Sequence, residues 1–337
     1  MTAARRIEFA IQVAGGQIQH AETGLEAIVK EAELAEDLGF DAVFVPDHYV
    51  FERLGAMQPD IPAYEMSLVM ATLAQRTKRI RIGSQVACML FRHPGMMARL
   101  FAQLDEASNG RMIAGVGAGW TRAEFEMFHL PFPPVSQRLA MMEEAVEIMR
   151  ALWRESPVSF EGEYYRLTDA VMLPRPVQRP GPPIMLGGSG KGVLRRAGRW
   201  ADIIHMTPAI GGPGTTTIAS VSAFTDDTVP EKLALVRESG IAAGRPADAV
   251  RYATTIYNYS PTATSEQTLA LAEQLGGLFQ LPPQAILRHP VVLAGTPEEM
   301  REEIRRRAET HGLSLMAINF SSVEQIRAFS EQVMSKL

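Results

Sequence analysis

Two patterns alternate along this chain, and their alternation limits the fold more than any other feature. Short runs rich in β-branched residues are followed by stretches with apolar residues at helical spacing, the signature of βα units and a parallel sheet. The strands are predicted at about Arg6–Val13, Asp41–Val45, Ile80–Val86, Arg111–Gly117, Pro182–Leu186, Asp202–Met206, Arg251–Asn258 and Ser314–Phe320. Between the first two, Leu25, Ile28, Val29, Ala32, Ala35 and Leu38 recur at helical spacing. Gly39 follows, where a helix end favours a left-handed residue. Further helices are predicted at Tyr64–Gln75, from Pro94 to Asn109–Gly110, at Leu139–Leu152, Lys191–Trp200, Glu298–Thr310 and about Val323–Ser335. Eight strands with intervening helices and no clear linker predict an α/β chain of one (β/α)8 barrel over residues 1–337, with insertions at about 118–135, 156–181 and 207–230.

Within those insertions, Val158–Phe160 and Tyr164–Leu167 read as a small hairpin around Glu161–Gly162–Glu163. Ile210–Thr228, rich in Gly, Thr and Ser, is either a lid over the barrel mouth or a plain surface connection. Leu278–Pro290 reads as irregular. Arg5 and Arg6 before an apolar stretch make Met1–Gly16 mimic a signal peptide, but Glu8 and Gln12 interrupt the run, which reads better as the first strand.

Composition removes several function classes. With 33 basic and 38 acidic residues and a net charge of −5, the chain does not look like a general nucleic-acid binder. Cys88 is the single cysteine, so no internal disulfide or thiolate zinc cluster can form. No apolar run reaches the roughly 18 residues of a membrane span. A soluble cytoplasmic protein is therefore expected. The seven histidines include no pair at H-x-x-x-H spacing, and there is no G-x-S-x-G elbow.

A barrel places its active site at the C-terminal ends of its strands, which singles out four segments. Asp47–His48 follow the second strand. A carboxylate and an imidazole there could bind a polar ring and move a proton, or form a loop turn with Asp47 accepting backbone hydrogen bonds. Gly83–Cys88 puts polar Ser84 and Gln85 at the end of an apolar strand, as a bulge beside a site or an ordinary strand exit. Arg92–His93–Pro94 follows, with His93 better read as a helix cap than as a ligand. Gly115–Trp120 supplies small residues that would let a planar ligand approach the backbone, with Trp120 stacking on it or, more in keeping with a lone tryptophan, packing. Gly187–Gly192 lies between a strand and a helix. It is neither a Walker A loop nor G-x-G-x-x-G, and it reads as a phosphate cup or a tight turn. Glu124 and Glu126 read as a solvated helix face.

Together these segments resemble the bacterial-luciferase-like superfamily of flavin- and coenzyme F420-dependent oxidoreductases. The resemblance rests on LGFDAVFVPDHY (Leu38–Tyr49), TKRIRIGSQV (Thr77–Val86), FRHP (Phe91–Pro94), NGRMIAGVGAGW (Asn109–Trp120), ALWRESPVSFEGEYYRL (Ala151–Leu167) and LGGSGKGVLRRAGRWAD (Leu186–Asp202). It spans roughly residues 1–205, with a looser tail at Leu293–Phe320. It implies a (β/α)8 barrel holding a deazaflavin or flavin at the strand C-termini, in a homodimer. By the resemblance, Asp47 touches the ring and His48 transfers the proton. A cis non-proline bond between Gln85 and Val86 backs the ring, with Ala87 and Cys88 beside it. Ala118 and Gly119 match ring or ribityl contacts. Gly187, Gly188, Ser189, Gly190, Gly192 and Val193 match the phosphate cup.

One departure matters. The F420-dependent glucose-6-phosphate dehydrogenases of this superfamily carry a catalytic glutamate where this chain has Trp120, so that specific activity is not expected. The expected reaction is hydride transfer between F420 and a small organic substrate. The alternative is a monooxygenase using reduced FMN and O2, and a more remote one is a non-catalytic flavin-binding protein. The loops Val50–Pro62 and Ile210–Thr228 would set the substrate.

Overall fold

The computed structural model describes residues 6–13, 24–210 and 214–337. Residues 1–5 and 14–16 of the Met1–Gly16 stretch, and 211–213 of the Ile210–Thr228 segment, lie outside the described residues. Eight parallel strands close on themselves: β1 (Glu8–Gln12), β2 (Ala42–Val45), β3 (Arg81–Ser84), β4 (Met112–Gly117), β5 (Ile184–Gly187), β6 (Ile203–Met206), β7 (Arg251–Ile256) and β8 (Leu313–Ile318). Each pairs with its neighbour in sequence, and β1 pairs with β8 to close the ring. The predicted (β/α)8 barrel is the observed one. The surrounding helices are α1 (Leu25–Asp37), α2 (Met66–Arg76), α3 (Pro94–Ala107), α4 (Val135–Arg154), α5 (Lys191–Trp200), α6 (Val229–Ala242), α7 (Pro297–His311) and α8 (Val323–Gln332).

The strands are mostly hydrophobic because both of their faces are covered. Along β2, Ala42 and Phe44 point into the barrel, while Val43 and Val45 face the helices. Ala10, Ile113, Met185, Ile203, Ala253, Leu315 and Ala317 join Phe44 inside, so the barrel is a packed core rather than a pore. Phe44 also dictates a residue on the next strand: a Cβ at Gly83 would lie 2.4 Å from its ring. Helix ends follow their local chemistry. Gly39 after α1 has φ +86°. Pro94 opens α3, with His93 Nδ1 accepting the Gly95 N–H at 3.2 Å, so His93 is the cap expected of it.

Two readings of the chain need correction. Leu278–Pro290 is largely helical, taking in the end of the helix Ser265–Phe279 and the short helix Pro283–Leu287. The seventh strand stops at Ile256. Asn258–Pro261 then pairs in parallel with Val292–Gly295 in a separate two-stranded sheet. The 210–228 stretch contains a helix, Ile218–Ser222, opened by a Thr217–Ser220 capping box. The predicted hairpin is present, as Val158–Glu161 against Arg166–Ala170. No helix among the described residues is long and apolar enough to cross a membrane.

Candidate active site

At the C-terminal end of β3 the chain leaves regular pairing. The Gln85–Val86 peptide bond is cis, as the resemblance implied, and Ala87–Cys88 then rejoins β4 opposite Val116–Gly117. The neighbouring strands are shaped to receive this bulge. A Cβ on Gly115 would lie 1.8 Å from the Ser84 carbonyl oxygen, one on Gly117 2.6 Å from Val86 Cγ2, and one on Gly187 3.0 Å from both Val86 methyls. Ser84 Oγ donates to the Gly115 carbonyl at 2.7 Å. The space at Gly115 and Gly117 is thus taken by protein, which corrects the reason assigned to it from sequence: these glycines admit the bulge rather than a planar ligand.

Beneath the bulge the Gln85 side chain enters a buried polar cluster. Its Nε2 lies 2.9 Å from both His205 Nε2 and Thr255 Oγ1, which are themselves 2.9 Å apart. Burial pulls the His205 pKa down to about 4, so its imidazole is neutral at physiological pH. Gln85 Oε1 is buried with no partner among the described residues. An orphaned acceptor at this place fits a bound group with an N–H or O–H to offer.

Asp47 and His48 follow β2 but do different work. Asp47 Oδ2 accepts the Cys88 N–H at 2.9 Å and Arg92 Nη1 at 2.8 Å, while Oδ1 accepts Arg92 Nη2 at 3.1 Å. The reading in which Asp47 accepts backbone hydrogen bonds therefore describes its contacts. Arg92 Nη2 also reaches Glu65 at 2.7 Å. Burial works against the charge on Arg92, but Asp47 and Glu65 outweigh it and hold its pKa above the ordinary value. Replacing Arg92 by methionine is expected to cost about 3–5 kcal/mol, because it leaves the Asp47 carboxylate buried and unpaired. A lowered midpoint of urea unfolding at unchanged slope is the check. Cys88, whose backbone Asp47 fixes, is buried, and burial pushes its thiol pKa up, so it stays a thiol. Gly119, at φ +71°, leaves room for that sulfur: a Cβ there would lie 2.6 Å from Sγ.

The His48 ring remains partly accessible, with 22% of its side chain exposed. Nδ1 lies 3.1 Å from both carboxylate oxygens of Glu124. Trp120 meets the ring edge-on at 5.4 Å, and Phe51 lies 6.0 Å away. Trp120 therefore packs, as expected, and packs on the predicted catalytic residue. Glu124 overturns its reading as part of a solvated face. Its side chain is 2% exposed, and Oε1 also accepts the Tyr49 N–H at 2.6 Å and the Val50 N–H at 3.3 Å. Glu126 is exposed, as read. The spacing Thr121-x-x-Glu124 is the only local signal, and it points elsewhere, to a capping box. That box does not form: Thr121 makes no side-chain cap, and its Oγ1 is buried without a partner among the described residues.

The glycine-rich turn after β5 leads into α5. Gly188, at φ +126°, donates its N–H to the His205 carbonyl at 2.9 Å, and Ser189 is buried. Gly190 is the N-cap of α5, and its carbonyl accepts from the Val193 and Leu194 N–H groups. A Cβ at Gly190 would meet nothing within 4 Å, and the Val193 methyls lie 3.4 Å from one built on Gly188. The Gly190 Cα thus faces free space, and the first-turn amides of α5, at the positive end of the helix dipole, are of the kind that receives a phosphate. Two surface cavities, of about 540 and 430 Å³, are lined respectively by residues such as Arg154, Arg175 and Arg179 and by residues such as Met96, Arg99 and Val171. Neither touches the bulge, His48 or the glycine turn.

Comparison with known proteins gives the family and the fold. Residues 6–314 match the luciferase-like monooxygenase family. The chain is similar to an F420-dependent glucose-6-phosphate dehydrogenase of Amycolatopsis mediterranei (strain U-32), 29% identical over 338 residues, covering 93% of this chain and 95% of the relative. Among solved structures it is similar to an F420-dependent secondary alcohol dehydrogenase in complex with an F420-acetone adduct, with TM-score 0.76, 23% identity, and 98% and 99% of the two chains covered. It is also similar to a monooxygenase from Streptomyces bottropensis, with TM-score 0.73, 24% identity and the same coverage. At such identities the two structures speak for the fold, while the family match runs through every segment of the site. The chain belongs to the luciferase-like monooxygenase family.

Proposed function

We propose that this protein transfers a hydride between coenzyme F420 and a small organic substrate, with His48 moving the accompanying proton. The observation that carries the reading is the placement of the His48 imidazole, held at Nδ1 only, at the same barrel mouth as the Gln85–Val86 bulge and the open N-terminus of α5. The name of the full-length Amycolatopsis relative supports F420 as the cofactor. When bound, F420 supplies the hydride acceptor or donor at C5 of its ring.

The protein's own groups do the rest. Gln85, Val86, Ala87 and Cys88 form the backing for the ring, with Asp47 holding that backing through the Cys88 amide. Ala118 and Gly119 lie along the ring or ribityl chain, and Gly187, Gly188, Ser189, Gly190, Gly192 and Val193 cup the phosphate. His48 Nε2, which has no partner among the described residues, accepts a proton from a substrate hydroxyl or returns one to a substrate oxygen. Fixing the substrate beside that nitrogen supplies much of the rate. By the resemblance, Trp120, which lies against His48, stands where the glucose-6-phosphate enzymes carry a catalytic glutamate, so glucose-6-phosphate is not the expected substrate. A cytoplasmic homodimer completes the reading, and light scattering checks the dimer.

Titration of the purified protein with F420 and FMN in parallel tests the cofactor. Saturable binding of F420 is expected. FMN binding with no response to F420, together with oxygen uptake on reduced FMN, would replace this reading by the monooxygenase. Glucose-6-phosphate is expected to give no F420 reduction above background.

A further inference from the structure

We infer that Glu124 is a positioning residue that fixes His48 in the tautomer with its proton on Nδ1, leaving Nε2 bare for substrate. What the bare nitrogen does rests on the function proposed above; which nitrogen is bare does not.

The argument is one of donors and acceptors. An ionised carboxylate has no proton to give, so a neutral imidazole that hydrogen-bonds to it must donate. Both Glu124 oxygens lie 3.1 Å from Nδ1, so Nδ1 carries the proton and Nε2 is the acceptor. The carboxylate cannot easily turn away. Oε1 is pinned by the N–H groups of Tyr49 and Val50, the two residues that follow His48, so a swing would orphan two backbone donors. The side chain is 2% exposed, which leaves little water to take its place. The short helix Arg122–Met127 that carries Glu124 is anchored by fully buried Phe125, and Trp120 just before it closes one edge of the imidazole.

The proton balance follows. With F420 bound as the hydride acceptor, oxidation of an alcohol to a carbonyl would pass its hydroxyl proton to Nε2. His48 is then an imidazolium whose positive charge faces Glu124. In the reverse direction the Nε2 proton returns to the carbonyl oxygen. A histidine with its proton on Nε2 could not begin the oxidation.

Glu124→Gln separates orientation from packing. The two backbone N–H groups demand an acceptor at the Oε1 position, so the glutamine oxygen sits there and its NH2 faces Nδ1. That NH2 donates, Nδ1 becomes the acceptor, and the proton moves to Nε2. The experiment is long-range 1H–15N correlation at pH 8 on the full chain labelled with 15N-histidine and free of cofactor, with His48→Gln assigning the signal. The expected result is a protonated Nδ1 in the wild type and a protonated Nε2 in E124Q. Turnover should fall roughly 100- to 10,000-fold in E124Q while F420 affinity stays within about twofold, because a wrong tautomer disables proton transfer and not binding.

A wild-type His48 protonated on Nε2, or the same tautomer in both proteins, would overturn the inference. The wild-type spectrum decides the point even if the variant fails to fold. If F420 does not bind at all, the proposed function fails while the tautomer result still stands.

Discussion

Gly115→Ala is expected to lose about 3 kcal/mol of stability or more, and with it the binding of any ring cofactor. The methyl group would lie 1.8 Å from the Ser84 carbonyl oxygen, an atom of the backbone that no rotamer change can move. Either β4 shifts or the bulge does, and a shifted bulge withdraws Gln85 and Val86 from beneath the site. The measurement is the urea midpoint, paired with F420 titration of whatever remains folded. Gly277→Ala is the matched control. Gly277 is an exposed residue inside the helix Ser265–Phe279 with nothing within 4 Å of a Cβ, and there alanine should stabilise by up to about 1 kcal/mol. A G115A protein as stable as the wild type would show that the bulge does not seat against β4 as described.

The second large effect is on chemistry. His48→Ala should lower turnover roughly 100- to 10,000-fold, the usual range for a positioned proton-transfer group. F420 affinity should change little, since the bulge and the α5 turn do not depend on the imidazole. Equal losses in kcat and kcat/KM would place the contribution in the transition state. Unchanged turnover would remove His48 from the mechanism.

The sequence made the barrel legible because each strand and helix is decided by neighbours a few residues away. Lys191–Trp200 was predicted with its observed bounds, and β2 and β6 each within a residue of theirs. The failures have local causes. Ser265–Phe279 has apolar residues on several faces, with Leu269 and Leu278 exposed, so no single stripe marks it. Paired prolines at 282 and 283 read as a loop, although Pro283 opens a short helix.

The candidate site was legible only in part, for the opposite reason. Asp47 and His48 stand next to each other, but the partner of the first is 45 residues away and that of the second 76. Nothing in the stretch from Arg122 to Met127 distinguishes Glu124, which turns inward, from Glu126, which faces water. Only the packing of one loop on another decides that. The cis bond between Gln85 and Val86 likewise came from likeness to other proteins, and the structure then supplied the cause of the glycines around it.

The bulge has a consequence for engineering. Its seat is divided between two other strands, with Gly115 and Gly117 on β4 and Gly187 on β5. Transplanting the Ser84–Val86 segment alone into another barrel would fail, because ordinary side chains on the recipient's adjoining staves would fill the hollow it needs. The smallest portable module is three consecutive staves, moved together.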